Sequence, residues 1–337
     1  MSLESTPQST GTSTHLVDVL LITYNHEKFV AQAIESILTQ QANFEFKLTI
    51  GDDCSTDGTR DILRRYVEKY PNRITLLLDD QHRGLTDRER VGIKTLTGAT
   101  ARYIALLDGD DYWTDHYKLQ KQVNFLESHA DFSICFHNVT MFYEGDCQPP
   151  VDFPGPRQPW VSELQDLFTD NFIPTCSVMF RRDDLKQLPD WFFTITPTDW
   201  PLHILNARYG KIGYLNEVMA AYRVHGAGAW SAGNAATQAF GVIRMLALLE
   251  ADLGPRYERE ILHAKGEWYY QLSELMYQSG DITRCKEYLK QYLACGGLRS
   301  DRRTVSLFLR ARQPALYNAL RSIRGSVRSV MPRNPGK

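Results

Sequence analysis

The sequence predicts an α/β fold in which a mostly parallel sheet carries helices on both faces and is followed by an α-helical C-terminal region. Three observations lead to this prediction. Short apolar strands alternate with amphipathic helices, polar clusters directly follow three of the strands, and the pattern becomes helical without strands from about residue 234. Strands buried on both faces are expected to be continuously apolar, as Val19-Leu20-Leu21-Ile22 is.

The elements predicted up to residue 142 alternate regularly. The predicted strands are residues 17–23, 46–53, 74–78, 103–107 and 134–142. The predicted helices are residues 29–38, a segment capped by Thr56 and Asp57 and stopped before Pro71, residues 87–99 and residues 117–129. Asn25 is expected to cap the first helix, because Asn is a preferred N-cap residue.

The later elements are shorter. After a loop rich in Pro and Gly over residues 147–160, the pattern predicts a strand at 176–180, a helix from about Asp199 and a strand at 212–215. A helix–turn–helix pair is predicted around residues 267–282. The expected organisation is a disordered tail (residues 1–15), an α/β domain (16–233) and a helical region with a basic tail (234–337).

Composition excludes several classes of protein. The 337 residues include 38 basic and 40 acidic side chains, a net charge of −2, so nucleic acid is not an expected partner. No apolar run approaches the roughly 20 residues that span a bilayer, and the N-terminus does not resemble a secretory signal. The six cysteines form no CxxC pair, so reduced thiols in a cytoplasmic protein are expected and a zinc site is not.

The last forty residues, 298–337, are strongly basic. They hold nine Arg and one Lys against a single Asp, interleaved with apolar residues. One interpretation is a peripheral contact with anionic lipid at the inner face of the cytoplasmic membrane. The alternative is a solvated helical end that docks on the acidic remainder of the chain, and the sequence leaves both open.

Three polar clusters follow predicted strands: Thr23-Tyr24-Asn25, Asp52-Asp53-Cys54-Ser55 and Asp108-Gly109-Asp110-Asp111. Because ligands of parallel sheets bind beyond the carboxyl ends of the strands, these clusters are expected to share one site. The carboxylates of the third cluster can converge on a hard divalent cation that holds phosphate oxygens. A polar turn and an Asx turn are the alternatives for the third and second clusters.

Other nucleotide and metal motifs are excluded. Residues 53–64 resemble a calcium loop, but its twelfth position is Arg64 instead of a bidentate Glu. A GxGxxG sequence after the first strand and a GxxxxGK[ST] sequence are both absent. Dinucleotide oxidoreductases and P-loop nucleotidases are therefore not supported.

Taken together, the segments 22–27 (ITYNHE), 51–59 (GDDCSTDGT) and 103–111 (YIALLDGDD) resemble the family 2 glycosyltransferases of GT-A fold, over about residues 16–231. Processive synthases of that family carry a QxxRW motif and membrane spans. This sequence contains no Arg-Trp pair, which favours an enzyme that makes single transfers.

The resemblance implies roles for particular residues. Thr23 and Tyr24 would line the nucleoside pocket, Asp53 would bind the base and Asp108 the ribose. The full set of implied nucleotide-binding residues is Thr23, Tyr24, Asn25, Asp53, Arg83, Gly84, Asp108 and Gly109. The implied ligands of Mn²⁺ or Mg²⁺ are Asp110, Asp111 and His225.

Asp199 matches the position of the family's catalytic carboxylate. The resemblance implies that it takes the proton from the acceptor hydroxyl as that oxygen attacks the anomeric carbon, with inversion. A helix N-cap carboxylate is the structural alternative. The expected function is transfer of one sugar from a nucleotide diphosphate donor, UDP-sugar above dTDP- or GDP-sugar, to a surface glycan that can be lipid-linked. A sugar nucleotidyltransferase and a non-catalytic nucleotide-sugar binding or scaffold protein are the alternatives.

Overall fold

The computed structural model describes residues 15–81, 90–145, 148–185, 188–195, 199–226, 234–296, 305–307 and 309. By its internal contacts the chain separates into two compact units, residues 1–232 and 233–337. The first unit contains a ten-stranded sheet, and the described part of the second unit is helical.

The strands are β1 (Val17–Thr23), β2 (Phe46–Asp52), β3 (Ile74–Leu78), β4 (Tyr103–Asp108), β5 (Tyr112–Trp113), β6 (Phe132–Tyr143), β7 (Val151–Phe153), β8 (Val161–Ser162), β9 (Met179–Arg181) and β10 (Lys211–Val224). The α-helices are α1 (Val30–Leu38), α2 (Thr59–Lys69), α3 (Val91–Thr97), α4 (Lys118–Ser128), α5 (Asp199–Asn206), α6 (Ala235–Leu253), α7 (Glu258–Gln278) and α8 (Ile282–Ala294).

The sheet is mixed and mostly parallel. Its main strand order is β3-β2-β1-β4-β9-β6-β10-β5, with β7 beside β6 and β8 beside β10. The long pairings β3/β2, β2/β1, β1/β4 and β6/β10 are parallel, whereas β9 runs antiparallel between β4 and β6. The carboxyl ends of β1, β2 and β4 therefore lie side by side.

Helices cover both faces of β1. Val19 and Leu21 share one core cluster with Ile34 of α1. The neighbouring side chain Ile22 points the other way, where a methyl group on Gly92 of α3 would touch it. Alternate residues of a strand face opposite sides, so a strand buried by two helices must be apolar throughout. The predicted fold class is confirmed.

Tertiary contacts change several predicted elements. The strand predicted at 212–215 runs from Lys211 to Val224, since β6 pairs along it. A short edge strand, β7, lies within the segment predicted as a loop. The strand predicted at 176–180 is a 3-10 turn at Thr175–Ser177 followed by β9. Asn25 does not cap α1, which begins at Val30, because its side chain binds the loop after β2 instead.

The second unit contains the predicted helix–turn–helix. Helix α7 ends at Gln278, Gly280 takes φ +82°, and the Asp281 side chain accepts a hydrogen bond from the Arg284 backbone N–H as α8 begins. Left-handed backbone here favours Gly because it has no Cβ. Tyr270 of α7 and Leu289 of α8 share a small core.

Of the predicted tail over residues 1–15, only His15 is among the described residues, and its Nε2 lies 2.6 Å from Asp18 Oδ1. Residues 1–14 and most of the basic segment lie outside the described residues, so their behaviour stays a prediction. Within the described part of the chain, no helix has the length and apolar composition needed to cross a bilayer.

Candidate active site

Backbone pairing brings the three polar clusters to one edge of the sheet. Thr23 of β1 is in register with Asp52 of β2, and Ile22 with Asp108 of β4. Beyond the last paired residues, the Asp53 N–H donates to Thr23 O at 2.9 Å and the Gly109 N–H donates to Ile22 O at 2.8 Å. The clusters thus emerge side by side, as their place at the strand ends predicts.

The loop after β1 is bound to the loop after β2 through Asn25. The Asn25 N–H donates to Ser55 Oγ at 2.9 Å, and the Asn25 Oδ1 accepts the Thr56 N–H at 2.8 Å. Asn25 and Cys54 both have left-handed backbone, with φ of +54° and +63°. Such conformations are costly for residues other than Gly, and they persist where surrounding contacts hold them.

Glu27 makes a second, reciprocal connection between these loops. Its N–H donates to Asp57 Oδ2 at 3.1 Å, while its own Oε2 accepts the Gly58 N–H at 2.8 Å. These hydrogen bonds fix one loop against the other before any ligand arrives.

The predicted nucleotide-binding residues differ in exposure. Tyr24 is 42% exposed, whereas Thr23 is buried and its hydroxyl has no hydrogen-bond partner among the described residues. Asp53 is partly buried beside them. Arg83 and Gly84 lie outside the described residues, so their role stays a prediction.

Gly109 is required by a close approach. A Cβ at this position would lie 2.7 Å from Thr23 Oγ1 and 2.9 Å from His26 Nδ1. Contacts below 3.0 Å force a displacement, so a side chain here would push the loop after β1 away from residue 109.

His26, Asp110 and His225 form a candidate metal centre. Asp110 Oδ2 lies 2.9 Å from His225 Nε2 and 3.6 Å from His26 Nε2. One ligand atom from each residue lies within 4.8 Å of the others, and no other group of three or more potential ligands occurs in the described residues. The three side chains are 11–15% exposed, so the group is accessible from outside.

The electrostatics of this edge favour a cation. Burial raises the pKa of Asp108 to about 8, and the carboxylates of Asp110 and Asp199 add to the shift. Burial also lowers the pKa of His26, although Asp110 opposes this, so a neutral imidazole with a lone pair to donate is favoured. Clustered carboxylates repel one another, and a divalent ion would relieve that repulsion.

Asp111, predicted as a metal ligand, lies outside the cluster. Its Oδ1 accepts the Arg223 backbone N–H at 2.8 Å, and Cys176 also hydrogen-bonds to its carboxylate. Burial raises the pKa of Asp111 well above its usual range, with Asp110 and Asp108 adding to the effect. The structure thus buries the Asp111 side chain against the Arg223 backbone and brings His26 into the cluster.

Arg223 clamps the Asp110-Asp111 turn. Its Nε donates to Asp110 O at 2.8 Å, and its two terminal nitrogens donate to Glu144 and to Gln32 Oε1. The guanidinium also lies over the rings of Phe29, at 4.4 Å, and Phe142, at 4.8 Å. Arginine donates in several directions from one plane, which suits it to fix a turn in this way.

Asp199 begins α5, as predicted, and lies near enough to Asp108 to influence its pKa. Its Oδ2 accepts a hydrogen bond from Asn171 Nδ2 at 3.1 Å. One turn further along α5, His203 Nδ1 lies 3.3 Å from Asn171 Oδ1. Asp199 is therefore held by a side chain from another segment, which is more than an N-cap role requires.

The family profile of glycosyl transferase family 2 matches residues 18–188. The chain belongs to this family. The match contains all three polar clusters, and it ends before Asp199 and His225, which the fold brings to the same edge of the sheet as the clusters.

Two relatives of this glycosyltransferase extend the match. The uncharacterized protein Rv1520 of Mycobacterium tuberculosis (strain ATCC 25618 / H37Rv) is 34% identical over 261 residues, 75% of this chain and 73% of that protein. TuaG of Bacillus subtilis (strain 168), provisionally assigned as a teichuronic acid biosynthesis glycosyltransferase, is 32% identical over 212 residues, 62% of this chain and 79% of TuaG.

The family 2 glycosyltransferase also shares its fold with a solved structure, S. aureus TarS 1–349 in complex with UDP-GlcNAc. The TM-score is 0.59 at 19% sequence identity, and the match covers 93% of this chain and 92% of that one. The GT-A architecture and the helical C-terminal region are confirmed by this likeness.

Two residues of the candidate site, His26 and Asn171, were not predicted from the sequence. His26 follows Asn25 directly in the first motif, so its position after β1 was a signal for it. Asn171 carried no such signal, because it lies 28 residues from Asp199 in a segment without regular periodicity.

Proposed function

We propose that this family 2 glycosyltransferase transfers a single sugar, with inversion, from a nucleotide diphosphate donor to an acceptor hydroxyl. The observation that carries the proposal is the meeting of Asp110, His26 and His225 at the edge where Asp199 approaches Asp108. A diphosphate held at the three-residue cluster would place the sugar between it and Asp199. In-line displacement needs the leaving diphosphate and the base on opposite sides of the anomeric carbon.

The donor is proposed to be a UDP-sugar. Thr23, Tyr24 and Asp53 would receive the nucleoside at the ends of β1 and β2, with Asn25 shaping the loop that presents them. Asp108 would accept a ribose hydroxyl, and Gly109 would allow the close approach of the chain to the diphosphate. Because hydrogen bonds already hold these two loops together, the ordering cost of donor binding would be lower.

The residues present fit a divalent metal ion. His26, Asp110 and His225 offer two imidazole nitrogens and a carboxylate oxygen, and His26 Nδ1 is buried with no hydrogen-bond partner in the described chain. Mg²⁺ prefers oxygen ligands, so this donor set suits Mn²⁺ better. When bound, the ion neutralises charge that develops on the departing nucleotide diphosphate.

Asp199 is proposed as the general base. Its carboxylate accepts the proton of the acceptor hydroxyl while the acceptor oxygen forms a bond to the anomeric carbon. The bond from that carbon to the phosphate oxygen breaks, and the nucleotide diphosphate leaves from the opposite face. Positioned proton transfer contributes roughly 10² to 10⁴ in rate.

The acceptor is proposed to be a growing surface glycan, which can be lipid-linked. TuaG, provisionally assigned to teichuronic acid biosynthesis, supports this class of acceptor. A contact of the basic C-terminal tail with anionic lipid would bring the enzyme to such a substrate at the inner face of the membrane.

The test is release of free nucleotide from UDP-, dTDP- and GDP-sugars, with Mn²⁺ or EDTA. Wild type is compared with Asp110→Ala and Asp199→Asn. Asp61→Ala serves as control, because that carboxylate is exposed on α2. We expect slow release from one UDP-sugar, abolished by EDTA and in Asp110→Ala. Asp199→Asn should bind the donor normally and release nucleotide more slowly. Absence of donor binding across the whole panel would contradict the proposal.

A further inference from the structure

The amide of Asn171 lies between Asp199 and His203. Its Nδ2 is 3.1 Å from Asp199 Oδ2, and its Oδ1 is 3.3 Å from His203 Nδ1. A carboxylate can only accept, so the NH₂ group must face Asp199, and the amide oxygen is left to accept the His203 Nδ1–H. We propose that Asn171 is a positioning residue for Asp199 and that His203 fixes the orientation of its amide. The inference rests on the proposed role of Asp199 as base.

The state of His203 agrees with this arrangement. Its side chain is fully buried, and burial lowers its pKa to about 4, although Asp199 opposes the shift. The ring is therefore neutral near pH 7 and carries one N–H. Its Nε2 has no hydrogen-bond partner among the described residues. A proton on Nδ1 is then favoured, because the one N–H of the ring can donate to Asn171 Oδ1. The atom left without a partner is then Nε2, which is an acceptor in this tautomer.

The backbone supports the same geometry. Asp199 and His203 are four residues apart on α5, so they lie on one face of the helix. The segment that carries Asn171 is tied to α5 by a second bond, in which the Trp200 indole N–H donates to Leu167 O at 2.6 Å. Two adjacent residues of the helix thus bind one segment, and Asn171 is held at a defined distance from Asp199.

The hydrogen bond from Asn171 is expected to orient the Asp199 carboxylate for catalysis. A donor on Oδ2 restrains rotation of the Asp199 carboxyl group and leaves Oδ1 available to the acceptor hydroxyl. Because Asn171 is neutral, it orients the carboxylate without introducing a competing charge. Loss of this restraint should lower turnover and leave donor binding unchanged. A misplacement of about 1 Å in a positioned group can cost about 10²-fold in rate.

The test measures kcat and donor KM for metal-dependent nucleotide release, in variants shown to be folded by thermal unfolding. Asn171→Ala should lower kcat by about 10- to 100-fold with KM within about twofold of wild type. His203→Leu should behave similarly, whereas His203→Asn should restore much of the rate, because its amide can replace the Nδ1 donor. Asp170→Ala is the control, since that neighbouring side chain is exposed.

The double variant Asn171→Ala/Asp199→Asn distinguishes a positioning role of Asn171 from a general structural role. If Asn171 acts through Asp199, the double variant should be no slower than Asp199→Asn alone. Multiplied losses would overturn the inference, as would wild-type turnover in Asn171→Ala. If Asp199→Asn itself keeps wild-type turnover, the proposed base is wrong. A slow Asp199→Asn beside a normal Asn171→Ala overturns only the positioning role.

A second measurement does not depend on turnover. Nitrogen NMR of the His203 ring should show the neutral Nδ1–H form in wild type and a changed tautomer balance in Asn171→Ala. A ring protonated on Nε2 in wild type, or one unaffected by Asn171→Ala, would overturn the arrangement.

Discussion

Two regions of the first unit are built in different ways. The motif side consists of residues 23–27, 52–58 and 108–111, which leave neighbouring strands and are joined by hydrogen bonds that backbone N–H groups donate to backbone and side-chain oxygens. The helix side consists of Asn171, Asp199 and His203, which are joined by two side-chain hydrogen bonds. Under the proposed function, we expect changes on the motif side to affect donor and metal binding and changes on the helix side to affect turnover.

The largest effect should come from Gly109→Ala on the motif side. The added methyl group would press on Thr23 and His26 and separate His26 from Asp110. We expect metal-dependent nucleotide release, measured as kcat/KM, to fall by about 10²-fold. Gly92→Ala is the control, because a methyl group at this position of α3 would meet Ile22 at an ordinary contact distance of 4.0 Å. Wild-type Mn²⁺ affinity in Gly109→Ala would contradict the assignment of the centre.

On the helix side, His203 should make the free energy of unfolding depend on pH. The pKa of His203 is lowered to about 4 in the folded chain, against 6.5 as its usual value. Between these values the unfolded chain binds a proton that the folded chain does not, so stability falls as pH decreases from about 6.5 towards 4. The slope is at most about 1.4 kcal/mol per pH unit.

Urea unfolding of wild type and His203→Asn at pH 7.5, 6 and 5 measures this slope. The other titrating groups are common to both proteins, so the difference between them isolates His203. Equal pH dependence of the two free energies of unfolding would show that His203 titrates normally.

Arg223→Lys should weaken metal binding without abolishing it. A lysine cannot reach Asp110 O, Glu144 and Gln32 together, although the backbone N–H to Asp111 remains. We expect Mn²⁺ affinity, measured by titration, to fall about tenfold, which corresponds to about 1.4 kcal/mol. Arg64→Lys, in an exposed ion pair on α2, should leave the affinity unchanged. An unchanged affinity in Arg223→Lys would mean that the turn holds its shape without the clamp.

The smallest effect should come from Glu27→Ala. This change removes the acceptor of the Gly58 N–H at the edge of the two bound loops. The free energy of unfolding should fall by about 1 kcal/mol, the usual net value of one hydrogen bond. Glu45→Ala is the control, because that glutamate is exposed at the edge of β2. A loss of several kcal/mol would mean that the loops contribute more to folding than the contacts indicate.

The elements that the sequence predicted well are those with a strong local pattern. β1 and β3 have the predicted bounds, because apolar runs closed by polar residues define them. The strand predicted at 212–215 ends at Leu215, whereas β10 continues for nine more residues to Val224. Pairing with β6 extends this strand through polar positions such as Asn216 and Glu217, and no local pattern encodes that partner.

Apolar strands followed by polar residues were enough to predict the sheet and the edge that carries the polar clusters, because apolar strands must be buried and their carboxyl ends meet at one edge. The resemblance also implied that His225 lies near Asp110, and the two side chains are 2.9 Å apart. Tertiary packing alone added His26 to that pair, turned Asp111 towards Arg223, and set Asn171 against Asp199. Such contacts depend on how distant segments pack, and local periodicity carries no information about that packing.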